Sequence, residues 1–404
     1  MIELDEVFRS EYGRIIATLV RLCGDIQLAE EAAQDAFLAA LTKWPETGTP
    51  PNPGGWLTTT ARNRLIDRLR REATRDARQQ EAADMIYLEP DGPAEPPDLS
   101  SVVDDRLRLM FTCCHPALAM EARVALTLKL LGGLSTAEIA MAFFVPETTM
   151  AQRLTRAKRK IAANRIPYRV PGDAELPSRL AGVLAALYLI FNEGYLSNSP
   201  DEPIRHDLSA EAIRLTRLIA QLMPDEPEVI GLLALMLLTD ARRTVRVADG
   251  ALVPLPEQDR SGWDAELIGE GHDLVRACLR RGKPGPYQIL AAMNAVHTDA
   301  GRASDTDWRQ IVALYDQLLY FTPTPIVRLN RAVAVAEVDG PEAGLTLIDQ
   351  LDLGAYHAWH VARADLLRRI GRTTEAAAAY RRAIELAGNS AERRYLTTQL
   401  EGLD

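Results

Sequence analysis

Residues 134–161, LSTAEIAMAFFVPETTMAQRLTRAKRKI, leave the chain few ways to fold. Pro146 has no N–H and its ring disfavours helix in the residue before it, so the stretch reads as two helices around a tight turn. Ser135 with Glu138 three residues on has the spacing of a capping box and starts the first helix. Ile139, Ala140 and Phe143 face inward there, and Thr148 or Thr149 is placed to cap the next helix. On that second helix Met150, Leu154, Ala157 and Ile161 share one narrow stripe at about 100° per residue. Gln152, Thr155, Arg156 and Arg159 lie opposite, with Arg153 and Lys158 on the flanks. Residues 151–169 hold seven Lys or Arg and no Asp or Glu. Solvated helix faces ordinarily mix both signs, so a one-signed face with short polar side chains at its centre suits a DNA major groove.

A net charge of −10 argues at first against nucleic acid. Its distribution removes the objection. Residues 1–169 hold 22 Lys and Arg against 23 Asp and Glu, and the remainder 24 against 33, so the excess acid lies mainly in the second half. A phosphate backbone feels charge over a Debye length of about 10 Å, and over that range local clusters decide.

Aromatic residues make up 6% of the 404 positions while alanine and leucine abound, which predicts an all-α chain of two or three domains. The longest apolar runs, such as 228–238, fall short of the roughly 20 residues that span a bilayer. MIELDEVFRSEYGR lacks the basic start and apolar stretch of a signal peptide. Cys23, Cys113, Cys114 and Cys278 show no framework spacing, so a reducing, cytoplasmic setting is expected.

Residues 4–22 read as a helix with Leu4, Phe8, Ile15, Leu19 and Leu22 on its apolar face. A second helix, about 27–44, turns Ala29, Ala33, Ala36, Phe37 and Ala40 inward and Glu31, Gln34, Asp35 and Leu38 outward. The outward leucine hints at a partner. ETGTPPNPGG, 46–55, reads as a loop that cannot be helical, and Trp56 then opens a third helix. Leu57, Ala61, Leu65 and Leu69 lie on one side of it, and Asn63, Arg64, Asp67, Arg70 and Arg71 on the other. Between Arg62 and Arg78 seven arginines face three acids, a second basic patch. Residues 73–103 are acidic, Pro-rich and aperiodic, the composition of an extended linker, and helices resume at 104. The expected divisions are therefore a domain at 1–72, a linker at 73–103 and a domain at 104–168, with a further boundary at 166–177.

A helical middle domain is expected over 176–280, with helices at 176–192, 207–222 and 226–239 and a hairpin turning at Asp249-Gly250. Over 285–402 helix pairs turn at Gly301-Arg302, Asp339-Gly340 and Gly371-Arg372. Small residues recur in each first helix: Ala291 and Ala292, Ala332 and Ala334, Ala362 and Ala364. With Tyr380 and Ala383 in the last second helix, the pattern fits tetratricopeptide-like repeats of about 34 residues. Such repeats stack into a concave surface that takes a protein or peptide partner.

No P-loop, dinucleotide fingerprint, HExxH or GxSxG is present, so no catalytic residue and no cofactor is expected. Cys113-Cys114-His115 has no CxxC partner and adjacent cysteines ligate one tetrahedral ion poorly, so no metal is expected either. His357 and His360 share a helical face without further ligands. IFNEGY, 190–195, and DRSGWD, 259–264, set polar groups beside aromatics, as a ligand pocket or interdomain packing would.

The order of these parts resembles an extracytoplasmic-function sigma factor of bacterial RNA polymerase over residues 1 to about 165. LAEEAAQDAFLAA is similar to the family helix that docks on the clamp helices of the largest polymerase subunit, which implies Glu31, Gln34, Asp35 and Leu38 for core binding. GGWLTTTARNRLIDRLRR is similar to the segment that melts and reads the −10 element, implying Asn63, Arg64, Asp67, Arg70 and Arg71. There Asn63 and residues 50–55 would hold a flipped base, and Trp56 would anchor the loop to the core. The 134–161 pair resembles the −35 reader, implying base contacts from Ala151, Gln152, Thr155 and Arg156 and phosphate contacts from Arg153, Lys158 and Arg159. Thr148 and Ala151 depart from the usual Gly and basic residue of that reader. The acidic linker would follow the polymerase's RNA path. YLIFNEGY and the terminal repeats resemble a group with a helical, tetratricopeptide-like C-terminal extension, which implies regulation by the fused domain.

Two other readings remain. A ligand-sensing helix-turn-helix regulator would bind duplex DNA without polymerase and leave the Glu31–Leu38 face and the Trp56 helix without a role. An enzyme built around Glu193 and Asp259 would need a motif that the sequence lacks.

Overall fold

Helices form where the apolar periodicity puts them, and several run further than expected. The computed structural model describes residues 4–79, 99–143, 145–172, 174–195, 206–388 and 390–403. It opens with α1 (Leu4–Cys23), α2 (Ile26–Thr47), α3 (Pro53–Gln79), α4 (Leu99–Cys113), α5 (Met120–Leu130), α6 (Thr136–Ala142) and α7 (Glu147–Ala163). Then come α8 (Leu176–Tyr195), α9 (His206–Leu222), α10 (Pro227–Asp240), α11 (Ala265–Arg281), α12 (Pro286–Asp299) and α13 (Trp308–Phe321). The last five are α14 (Pro325–Asp339), α15 (Pro341–Ile348), α16 (His357–Arg369), α17 (Thr373–Leu386) and α18 (Ser390–Glu401). Among the described residues no helix is long and apolar enough to cross a membrane.

The chain divides into two compact units, Met1–Leu187 and Tyr188–Asp404. The division falls inside α8, past the break expected at 166–177. The start of α8 belongs to the first unit because Leu180, Val183 and Leu184 are buried there and Arg179 donates to the Phe111 carbonyl at 2.7 Å.

In the first unit, α1 buries Tyr12, Ile15, Ile16, Leu19 and Val20. Leu22, expected inward, is 43% exposed, because the buried stripe turns away from it in the last helical turn. Leu69 of α3 is likewise exposed, while Leu57, Ala61 and Leu65 are buried. The loop expected at 46–55 shrinks. α2 carries Pro45 internally and continues to Thr47, and α3 begins at Pro53, where a missing N–H costs nothing. Asn52 Oδ1 accepts from the Gly55 N–H at 2.9 Å and serves as the cap, so residues 53–55 form the first turn of α3. Helix also occupies 73–79 and 99–103 of the expected linker, and 80–98 lie outside the described residues.

The second unit is a run of helices that mostly pack on the next in sequence, with α12 also packed on α10. α10 is buried all round, from Gly231 to Leu238, as the central helix of its neighbourhood. The expected hairpin forms as β1 (Val247–Ala248) paired with β2 (Ala251–Leu252). Its turn has φ +50° at Asp249 and +73° at Gly250, the left-handed pair that a two-residue hairpin needs. The helix pairs α14–α15 and α16–α17 turn at Gly340 and at Gly371, and α12–α13 are joined across 300–307. Leu329, Ala332, Ala336, Ala364, Ala379, Tyr380 and Ala383 share one core in the last two pairs.

Candidate functional site

The α6–α7 turn is built as its sequence dictates at one end and differently at the other. Ser135 accepts from the Glu138 N–H at 3.1 Å and Glu138 accepts from the Ser135 N–H at 2.6 Å, the expected reciprocal cap. Neither threonine caps α7; Pro146 occupies that position with no side-chain bond, and Thr148 and Thr149 lie within the first turn. Phe143 is half-buried, with the Arg153 guanidinium 5.8 Å from its ring centre. Met150, Leu154, Ala157 and Ile161 are buried. Ala151, Gln152, Thr155, Arg156 and Arg159 are exposed together on the opposite face. The Thr155 hydroxyl donates back to the Ala151 carbonyl at 2.8 Å, which ties it to its own helix.

The second basic helix, α3, presents Asn63, Arg64, Asp67, Arg70 and Arg71 to solvent, as expected. Trp56 packs edge-on against Trp44 of α2 at 5.5 Å between ring centres, so it anchors the start of α3. Arg68 joins this set unexpectedly. Its guanidinium pairs with Glu31 and, at 2.7 Å, with Asp35. A groove of about 620 Å³ between α2 and α3 is lined by Asp35, Leu38, Arg64, Arg68 and Arg71. Residues expected to serve two partners, polymerase and the −10 strand, therefore meet in one groove. Arg64, Arg68 and Arg71 at i, i+4 and i+7 beside the acids of α2 was the available signal. Gln34 is exposed, and Leu38 is 59% exposed beside it.

Glu30, one residue before that polar stripe, is the unexpected feature. It is 4% exposed and pairs with Lys158 of α7, a residue expected to hold DNA phosphate. Around it the two basic-helix neighbourhoods are docked together. Gly13 of α1 lies so close to α5 that an added Cβ would sit 2.8 Å from the Leu131 carbonyl oxygen. Arg21 of α1 pairs at 2.7 Å with Asp105 of α4, whose side chain is wholly buried. The Tyr168 hydroxyl lies 2.7 Å from the Ala17 carbonyl and 2.9 Å from that of Asp105, its one proton serving either. Burial, with Glu30 alongside, pushes the Tyr12 phenol above its ordinary value. Burial pulls the Lys129 ammonium below its ordinary value, with Glu30 opposing.

Cys113 and Cys114 are buried, and burial pushes the Cys114 thiol up to about 11, with Thr127 Oγ1 3.4 Å from its sulfur. Both therefore read as core residues. The His115 Nδ1 accepts from the Ala117 N–H at 3.1 Å, and His360 Nε2 lies 2.8 Å from the Gly354 carbonyl oxygen.

Three segments of the chain match known family models. Residues 7–75 match the family model of sigma-70 region 2, and 108–161 match that of sigma-70 region 4. Residues 179–279 match a family of unknown function, DUF6596. The uncharacterized protein R00370 of Rhizobium meliloti (strain 1021) is 42% identical over 99% of this chain and 96% of its own length. The probable ECF RNA polymerase sigma factor SigI of Mycobacterium tuberculosis, in strains CDC 1551 / Oshkosh and ATCC 25618 / H37Rv, is 28% identical over 159 residues. That match covers 39% of this chain and 54% of the relative. No solved structure matches the chain.

Proposed function

We propose, for a chain that belongs to the ECF-type sigma factors and so binds RNA polymerase for promoter-specific initiation, that region 4 is held on region 2 until the two part to span a promoter. The observation that carries this is the Lys158–Glu30 pair. It ties α7 to α2, which packs on α3, and an ion pair holds two helices within about the length of two side chains. The −35 and −10 elements are separated by about 25 base pairs, or about 85 Å at 3.4 Å per pair. Helices tied that closely cannot occupy both. In the parted state Lys158 is free to take a phosphate, and Glu30 is free to take water.

The contacts that follow opening are assigned residue by residue. Glu31, Gln34, Asp35 and Leu38 engage the clamp helices, where Arg68 gives up two exposed carboxylates for little cost. Asn63, Arg64, Asp67, Arg70 and Arg71 handle the −10 strand. Ala151, Gln152, Thr155 and Arg156 face −35 bases, and Arg153, Lys158 and Arg159 take phosphates. A sigma factor supplies no catalysis of its own; the polymerase does.

The fused second half acts as the regulator. It carries the excess acid of the chain, 33 Asp and Glu against 24 Lys and Arg, and a tethered acidic domain competes with DNA for the cations of α3 and α7. Its terminal helix pairs act as tetratricopeptide-like repeats for a protein or peptide partner; Tyr320 and Phe321, 85% and 41% exposed at the end of α13, support a contact surface there.

Glu30→Gln in the full chain tests the lock without touching any assigned contact. Promoter-dependent initiation with core polymerase should rise while core binding stays constant. Unchanged or lower initiation at equal core binding would remove the lock. Core pull-down with Gln34→Ala and Asp35→Ala, expected to weaken capture, tests the clamp assignment separately.

A further inference from the structure

The second unit contains a cavity of about 460 Å³ whose walls come from Tyr195, the segment after α10, the β1–β2 hairpin, α16 and α18. Arg242 and Arg246 line it. Arg242 is 7% exposed; its one side-chain partner is neutral, Asn294 Oδ1 at 2.8 Å, and its Nε has none. Arg246 stacks over the Tyr195 ring, 3.6 Å from its centre, and its buried Nε also lacks a partner. Neither guanidinium is ion-paired among the described residues. Glu392 on the same wall offsets the charge of Arg246, which leaves the buried Arg242 as a cation unanswered among the described residues, and a lining of this kind points to an anion. His297 reports the same positive field: burial, with Arg242 and Arg260 adding to it, pulls its pKa down to about 4.

We infer that this cavity binds a small organic carboxylate with an apolar body. The volume falls in the range of small-molecule sites. A guanidinium fork matches a carboxylate, and Leu252, Pro254, Val361 and Leu396 offer the rest of the molecule an apolar wall. Gln258 is 9% exposed and lines the cavity; its Nε2 donates to the Val253 carbonyl at 2.9 Å while its Oε1 has no partner. That oxygen favours a ligand with a hydroxyl or amine donor near its acid group. A phosphate fits less well, because Glu392 on the same wall repels a dianion and the apolar lining would go unused. The ligand would tie together segments far apart in sequence, from the end of α10 to α18, and stabilise the second unit by mass action. The inference deepens the proposal that the fused domain regulates. Binding is read without polymerase, so either can fail while the other stands.

The test uses the full chain with phenylacetate as probe, neutral phenylacetamide as its isostere and inorganic phosphate as the competing anion, read by calorimetry and thermal shift. Phenylacetate should bind saturably and raise Tm, with the amide about tenfold weaker or worse and phosphate without saturable effect. Arg246→Met should weaken phenylacetate about tenfold, and Val361→Trp, which fills the cavity, should abolish binding. Acid and amide binding equally, phosphate binding best, or no response to phenylacetate at about 10 mM would each overturn the assignment. The acid–amide comparison stands on the unaltered chain, whatever the variants do to folding.

Discussion

α3 and α7 are both cationic helices that pair with acids of α2, yet they spend their charge differently. Arg68 of α3 holds Glu31 and Asp35, whose side chains are 40% and 36% exposed. Lys158 of α7 holds Glu30, whose side chain is 6% exposed. An exposed pair is worth up to about 1 kcal/mol, whereas stripping one partner from a buried pair costs about 3–5 kcal/mol. Neighbouring carboxylates on one helix thus do opposite work: the exposed ones can be traded for a partner, and the buried one fixes a state.

Lys158→Met attacks the buried side of that contrast. It leaves Glu30 as an unpaired buried charge, so docking should weaken by about 3 kcal/mol, roughly a hundredfold toward the parted state. Hydrogen exchange in α7 measures it, and Lys158→Met with Glu30→Leu should recover most of the loss. A change below about 1 kcal/mol would place this pair with the exposed ones.

The pH dependence of the second unit extends the contrast to a buried base. His297 has its pKa lowered from 6.5 to about 4, so the unfolded chain binds the proton first. The stabilisation is complete above pH 6.5, is lost as pH falls toward 4, and totals about 3 kcal/mol. Urea titrations across that window should show the loss, and His297→Gln should flatten it. An equally steep profile in the variant would assign the effect to another group.

Gly13→Ala probes the docked surface without charge. The new Cβ, 2.8 Å from the Leu131 carbonyl, should cost about 1–3 kcal/mol in thermal unfolding of the first unit. A neutral result would mean that α1 and α5 are not held that closely. The smallest effect belongs to Arg68→Ala, expected to change stability by less than about 1 kcal/mol while leaving Glu31 and Asp35 without their cation. A large loss of stability there would erase the distinction drawn between the two helices.

Both basic helices, their buried stripes and their exposed faces were legible in the sequence, because each depends on periodicity within one segment. Leu22 misled because the apolar stripe at a helix end need not meet a neighbour; Leu69, well inside α3, is exposed as well. The 46–55 loop was read too long, since Pro53 at a helix start and Asn52 as its cap turn breakers into an opening. The Lys158–Glu30 pair was beyond reach. It joins residues 128 apart, and nothing local marks one glutamate among three acids as the buried one. Arg242 and Arg246 were missed for the same reason, although Tyr195 of the IFNEGY segment does line their cavity.

Spin labels on exposed Lys43 of α2 and exposed Lys160 of α7 measure the separation on which the account rests. The free chain should give one short distance, and the chain bound to core polymerase on promoter DNA should give one longer by tens of ångströms, toward the roughly 85 Å between the elements. The same short distance in both states would contradict it.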